Sequence, residues 1–311
     1  MKRFLVRFVL FALLVIGVIG SVCIAEISAE IHAYRREVCP PDGLDVLVCN
    51  DSQTGGDIDP EVCPRVFNFS AHGRALDQAV LTVLDVLEAD TRRRIKTVVF
   101  DVTPAAAVAS QTCRLADMGY SAKYWLIHYL HPEENIRDLD GGLVVARDNL
   151  VGRRLRHFWR ALRGKVVFRS SLFGEFITTD IVDKRSCPRR YWALLKGKAN
   201  STKGLKELTA DSPFAVAVLD QLVERVRASG RNLLIITTPW NADLRTACGA
   251  AGVAAFGQVM EDYARTRNCA YVNFLSAEFP DEEWGDGNHL NHRGARRFTR
   301  LLAAELARRG Y

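Results

Sequence analysis

The sequence has no Cys-x-x-Cys pair although it holds eight cysteines, so their spacing matches no zinc-finger or zinc-ribbon pattern. It has no internal repeat, which excludes a solenoid or propeller. Helix-turn-helix and RRM-like signatures are also missing. A net charge of +6, from 42 Lys and Arg against 36 Asp and Glu, is too mild to imply a nucleic-acid partner. Nothing in the composition points to disorder. With 311 residues, 48% of them hydrophobic, the chain can bury one large α/β core or two small ones, and a single globular domain with an appendage is the simplest organisation.

The appendage lies at the N-terminus. Lys2, Arg3 and Arg7 precede an uncharged run from Phe8 to Ala25, FVLFALLVIGVIGSVCIA, which ends at Glu26. As a helix this run spans about 27 Å, close to the roughly 30 Å of a bilayer's hydrocarbon core. Residues 1–25 therefore read as a single membrane anchor, followed by a polar juxtamembrane linker over 26–43. Positive charge on the short N-terminal side keeps that end cytoplasmic and places the rest outside the cytoplasm. A cleaved signal peptide ending at Ala25 or Ala29 is the alternative, but the run exceeds the usual 7 to 15 apolar residues of such a segment. Cys23 raises a lipoprotein reading, which Val22 before it fits poorly.

Export changes the meaning of the cysteines. Cys39, Cys49, Cys63, Cys113, Cys187, Cys248 and Cys269 lie beyond the anchor; some are expected to pair in an oxidising compartment, and an odd number leaves at least one unpaired. Cys49, inside a strand-like run, reads as a buried thiol. Asn50, Asn68 and Asn200 each begin an Asn-x-Ser/Thr sequon.

From residue 44 to the end, short apolar runs alternate with helical periodicity. Strands are expected at 44–49, 65–69, 96–102, 232–238 and 270–274, and helices at 75–89, 215–230, 253–267 and 292–309. Such alternation specifies a three-layer α/β/α domain with a mainly parallel central sheet. The stretch 104–211 is less regular. It includes an Arg-rich segment at 146–165 with Phe158 and Trp159, readable as a solvated helix face or as a contact for an anionic surface, and a polar insertion at about 184–211.

Ligands of open α/β sheets gather at the carboxyl ends of the strands. The loop after the first strand reads CNDSQTGGDIDP and places Ser52 three residues beyond Cys49. The loop after the second reads NFSAHG, where Gly73 stands at a helix start suited to an oxyanion. Near the C-terminus, DGNHLNHRGA holds Asp286 and His289 three residues apart, a spacing that lets the carboxylate orient the imidazole and leave its other nitrogen as a base. Asn291 is better placed than Asp286 to cap a helix starting near His292. A metal site from Asp286, His289 and His292 would lack an obvious further ligand, so no metal or other cofactor is expected.

Together, NDSQT (50–54), NFSAHG (68–73) and DGNHLNHRGARRF (286–298) resemble the SGNH, or GDSL-like, superfamily of hydrolases and acyltransferases. The resemblance runs loosely over 44–311. It implies Ser52 as nucleophile, His289 as base and Asp286 as the orienting acid, with backbone N–H groups of Ser52 and Gly73 on the oxyanion side and Asn68 in the same loop. The sequence departs from the family in two places: Asn50 stands where glycine is usual, and FDVTP (100–104) replaces the Gly-x-Asn-Asp block, which leaves Thr103 or Asn241 as candidates for the missing donor. Membrane-anchored relatives imply action on acyl, above all acetyl, esters of a cell-envelope carbohydrate, in some cases beside a membrane-bound O-acyltransferase. A catalytically inactive envelope component that binds polysaccharide or such an acyltransferase is the other reading.

Overall fold

A computed structural model describes residues 2–71, 74, 76–104, 213–285 and 288–311. The Arg-rich segment 146–165 and the insertion read at about 184–211 lie outside the described residues. Two units are distinct, the first containing the N-terminal helix and the second beginning at Val38.

Helix α1 runs from Lys2 to Glu37, and its stretch Lys2–Val22 is long and apolar enough to cross a membrane. Phe4, Leu5, Phe8, Leu10, Phe11, Leu14 and Ile16 are all exposed along it. A helix with apolar side chains exposed around it suits a lipid environment. The helix continues through residues 26–37, because the chain has neither glycine nor proline between Gly20 and Pro40 to stop it.

In the second unit, strands β1 (Val46–Cys49), β2 (Val66–Asn68), β3 (Thr97–Asp101), β4 (Asn232–Thr237) and β5 (Ala270–Asn273) form one parallel sheet in the order β2-β1-β3-β4-β5. The helices are α2 (Ser52–Asp57), α3 (Leu76–Ala89), α4 (Pro213–Ala228), α5 (Ala242–Cys248), α6 (Ala250–Arg267) and α7 (His292–Arg308). The fold is therefore α/β with a parallel five-stranded sheet flanked by helices, as the alternation of the sequence predicts. Its strand order is flavodoxin-like, with the topological switch between β1 and β3.

Burial on both faces explains the near-continuous apolar runs of β1 and β3. On one face Val46, Val48, Val66, Val99, Leu234 and Ile236 pack with Phe298, Leu302 and Leu306 of α7. The alternate residues Leu47, Val98, Phe100 and Ile235 are equally buried and point to the other face, where α3 meets α4. Cys49, Cys63 and Cys269 are free thiols, and Cys49 is buried against the Ala79 carbonyl of α3, in line with its sequence reading.

At the amino ends of the strands Asp90 binds two segments, one before β3 and one before β4. Its carboxylate accepts from the Arg94 and Ile95 N–H groups at 3.0 and 2.8 Å and from the Arg231 guanidinium at 3.1 Å. Burial alone would raise this carboxyl, but the two N–H groups and Arg231 outweigh it and hold it below the usual range. A depressed carboxyl contributes stability above the unfolded value near pH 4 and loses it as pH falls through the folded value. Asp90→Ala strands the largely buried Arg231, so a loss of about 3 to 5 kcal/mol is expected in urea unfolding at pH 7, shrinking toward pH 3.

Candidate active site

Ser52 opens α2 directly at the carboxyl end of β1. Asp51, in extended conformation, is the N-cap, and its side chain accepts from the Gln53 N–H at 2.9 Å. Asn50 is fully buried and binds the ends of both neighbouring strands. Its N–H donates to Ser70 Oγ at 3.2 Å, its carbonyl accepts from Ala71 N–H at 3.1 Å, and its Nδ2 donates to the Asp101 carbonyl at 2.7 Å. The backbone of Asn50 is not left-handed, so the turn that precedes Ser52 does not require glycine there.

His289 arrives from the far end of the chain. After a short 3-10 turn (Asp281–Glu283), Trp284 and Leu290 form an antiparallel bridge, and Gly285 N–H donates to the His289 carbonyl at 2.9 Å. The Trp284 indole donates to Phe279 O, and Phe279, Trp284 and Phe298 pack edge to face beneath the loop. Asn291 caps α7 by accepting from Arg293 and Gly294 N–H groups, the role its sequence position indicates. Gly294 faces the Glu283 carbonyl and Leu290 so closely that a Cβ there would overlap both, which accounts for glycine in HRGA.

These two approaches place Ser52 Oγ and His289 Nε2 3.0 Å apart, with His289 largely buried. That is hydrogen-bond distance between a hydroxyl and a ring nitrogen able to take its proton. Asp286 and Gly73 lie outside the described residues. Asn68 is occupied otherwise: its Nδ2 donates to the Thr54 and Ile58 carbonyls and its Oδ1 accepts from Ser70 N–H, so its amide holds α2 to β2. Asn241, after β4, caps α5 by accepting from Asp243 N–H at 2.9 Å. Thr103 is buried just beyond β3. Asn50 is fully buried and the Asn68 amide nitrogen is held by two backbone carbonyls, so in the folded protein neither sequon is an open glycosylation acceptor.

Sequence reasoning passed over Asp101, Gln53 and Asp57. Asp101 ends β3 at the switch point, fully buried, accepting from the N–H and hydroxyl of Thr238 at 3.1 and 3.2 Å. A carboxylate at the end of an otherwise apolar strand was the available sign. Burial, then the charge of Asp51, push the Asp101 carboxyl well above its ordinary range. Burial also raises Asp51, and the Gln53 N–H, His289 and Arg74 offset this in part. Because burial makes folded Asp101 ionise at a higher pH than the unfolded chain, which ionises near pH 4, this group lowers stability as pH rises from there toward the folded value. Asn at this position keeps an oxygen for the Thr238 N–H and has no proton to lose. Calorimetry of Asp101→Asn is expected to show melting temperature gaining on wild type from pH 4 to pH 8; a growing deficit over that range would contradict the assignment.

No family model matches this chain, and no curated protein matches it by sequence. Among solved structures it is similar to a "putative acylhydrolase" from Bacteroides fragilis, at 10% sequence identity and a TM-score of 0.43, over 90% of this chain and 97% of that one. A likeness this distant leaves the reading of the site to its own geometry.

Proposed function

We propose that the protein is an extracytoplasmic, serine-dependent ester hydrolase or O-acyltransferase that acts on acyl, chiefly acetyl, esters of a cell-envelope carbohydrate. The observation that carries the reading is the 3.0 Å approach of His289 Nε2 to Ser52 Oγ at the carboxyl ends of the strands. His289 takes the hydroxyl proton as Ser52 Oγ attacks the ester carbonyl. Collapse of the tetrahedral intermediate breaks the bond to the alcohol, which leaves with the proton from His289, and the acyl group stays on Ser52. Water or a sugar hydroxyl then repeats the sequence in reverse, with His289 again as base. Asp286, three residues before His289, orients the imidazole in this reading. The backbone N–H groups of Ser52 and Gly73 face the oxyanion, and Thr103 or Asn241 supplies a further donor. No cofactor is needed for any step.

Helix α1 anchors the site to the membrane, with Lys2, Arg3 and Arg7 on the cytoplasmic side and the sheet domain outside. In this reading Ser52 acts on envelope polysaccharide, in partnership with a membrane-bound O-acyltransferase. A second reading, an inactive component that binds polysaccharide or that partner, draws on the engagement of Asn68 within the fold, which removes one candidate oxyanion donor. Release of acetate from acetylated glycan, dependent on His289, separates the two.

The direct test is active-site labelling. A fluorophosphonate probe is expected to label the full chain once, and Ser52→Ala is expected to abolish labelling and lower ester turnover by about 10⁴-fold or more. Undiminished labelling of Ser52→Ala would exclude Ser52 as the nucleophile.

A further inference from the structure

Helix α2 does more than present Ser52. Gln53, the next residue, is buried and sends Nε2 to the Asn288 carbonyl at 2.8 Å. Asp57, in the last turn of the same helix and fully buried, accepts from the Leu290 N–H on Oδ1 at 2.8 Å. The two contacts grip the backbone on either side of His289, one at the residue before it and one at the residue after. Each is matched in polarity: an amide donor meets a carbonyl, and a carboxylate meets an N–H. The loop is braced from its other side by the Gly285 N–H to His289 carbonyl bond and by the Leu290 side chain in the core.

We propose that Gln53 and Asp57 are positioning residues that set His289 against Ser52 by fixing the base-bearing loop to the nucleophile-bearing helix. With the backbone held before and after His289, only the rotation of its side chain remains to aim Nε2 at Oγ. The peptide links that carry the base thereby become part of the same rigid body as the nucleophile. Misplacement of reacting groups by about 1 Å can lower a rate by roughly 10²-fold, so a two-point grip on this loop is matched to what the chemistry needs. The catalytic part of this inference rests on the serine mechanism proposed above; the grip itself rests on the hydrogen bonds alone.

The experiment uses the full chain in detergent and four forms: wild type, Gln53→Met, Asp57→Leu and Asp57→Asn. Gln53→Met keeps the length of the side chain and removes the donor. Asp57→Leu removes the acceptor, and Asp57→Asn restores an oxygen at the same place. Two quantities are read: the saturating rate and half-saturating concentration of Ser52 labelling by a fluorophosphonate, and hydrogen exchange of the backbone at 288–290. Gln53→Met is expected to label at least about ten-fold more slowly at saturation with an unchanged half-saturating concentration, and to exchange faster at 288–290 at an unchanged melting temperature. Asp57→Asn is expected to recover most of the rate and protection that Asp57→Leu loses. A folded Gln53→Met that labels at the wild-type rate overturns the inference, as does wild-type exchange at 288–290 in both Gln53→Met and Asp57→Leu. If wild type itself fails to label at Ser52, the serine reading falls, and exchange at 288–290 still decides the grip: faster exchange in the variants upholds it, unchanged exchange overturns it.

Discussion

The hydrogen bond between Ser52 and His289 joins residues 237 positions apart, and every functional statement about the molecule depends on that contact. Local structure cannot supply it. It follows from the parallel sheet, which brings the end of β1 to the switch point, and from α7, which returns across the sheet after β5 and carries the His289 loop with it. Phe298, Leu302 and Leu306 of α7 pack on Val48, Val99 and Leu234, so the large apolar core and the small polar site are held by the same helix. Burial of those side chains, each worth about 1.5 to 3 kcal/mol, provides the stability against which the site is assembled.

The polar residues around Ser52 form one connected layer at the strand ends. Asn50 links β1 to β2 and β3, Asp101 links β3 to the loop after β4, and Asn68 links β2 to α2. Apart from the Asn50 Oδ1, which is buried without a partner among the described residues, the bonds of this layer pair its buried polar groups and leave little freedom in the turn that carries Ser52. The layer also gives two residues of the strand ends a structural role. Asn50 occupies a position where the backbone does not need glycine, and its side chain serves as a tie. Asp101 ends β3 with both carboxyl oxygens directed to Thr238.

Much of the fold was legible in the sequence because it is written in periodicity. The apolar runs KTVVFDV and NLLIITT and the helical spacing of ALDQAVLTVLDVLEA locate β3, β4 and α3 to within one or two residues. The capping role of Asn291 was legible from its place before α7. Less visible were features that depend on what a segment meets. The length of α1 to Glu37 reflects the absence of helix breakers rather than apolar character. Gln53 and Asp57 act on backbone atoms of residues more than 230 positions away, and a partner's backbone leaves no mark in a sequence. Asn68 shows the converse: a motif position drew attention to a side chain whose amide is spent inside the fold.

The central claim is that an acyl group passes through Ser52. Full-length protein mixed with p-nitrophenyl acetate, quenched in acid within the first turnover and digested, allows that species to be weighed directly by mass spectrometry. The expected result is one acetyl group on the peptide that contains Ser52, located to that residue by fragmentation and absent after the ester is exhausted. Turnover of the ester with no acylated Ser52 at any quench time, or acylation confined to another residue, would contradict it.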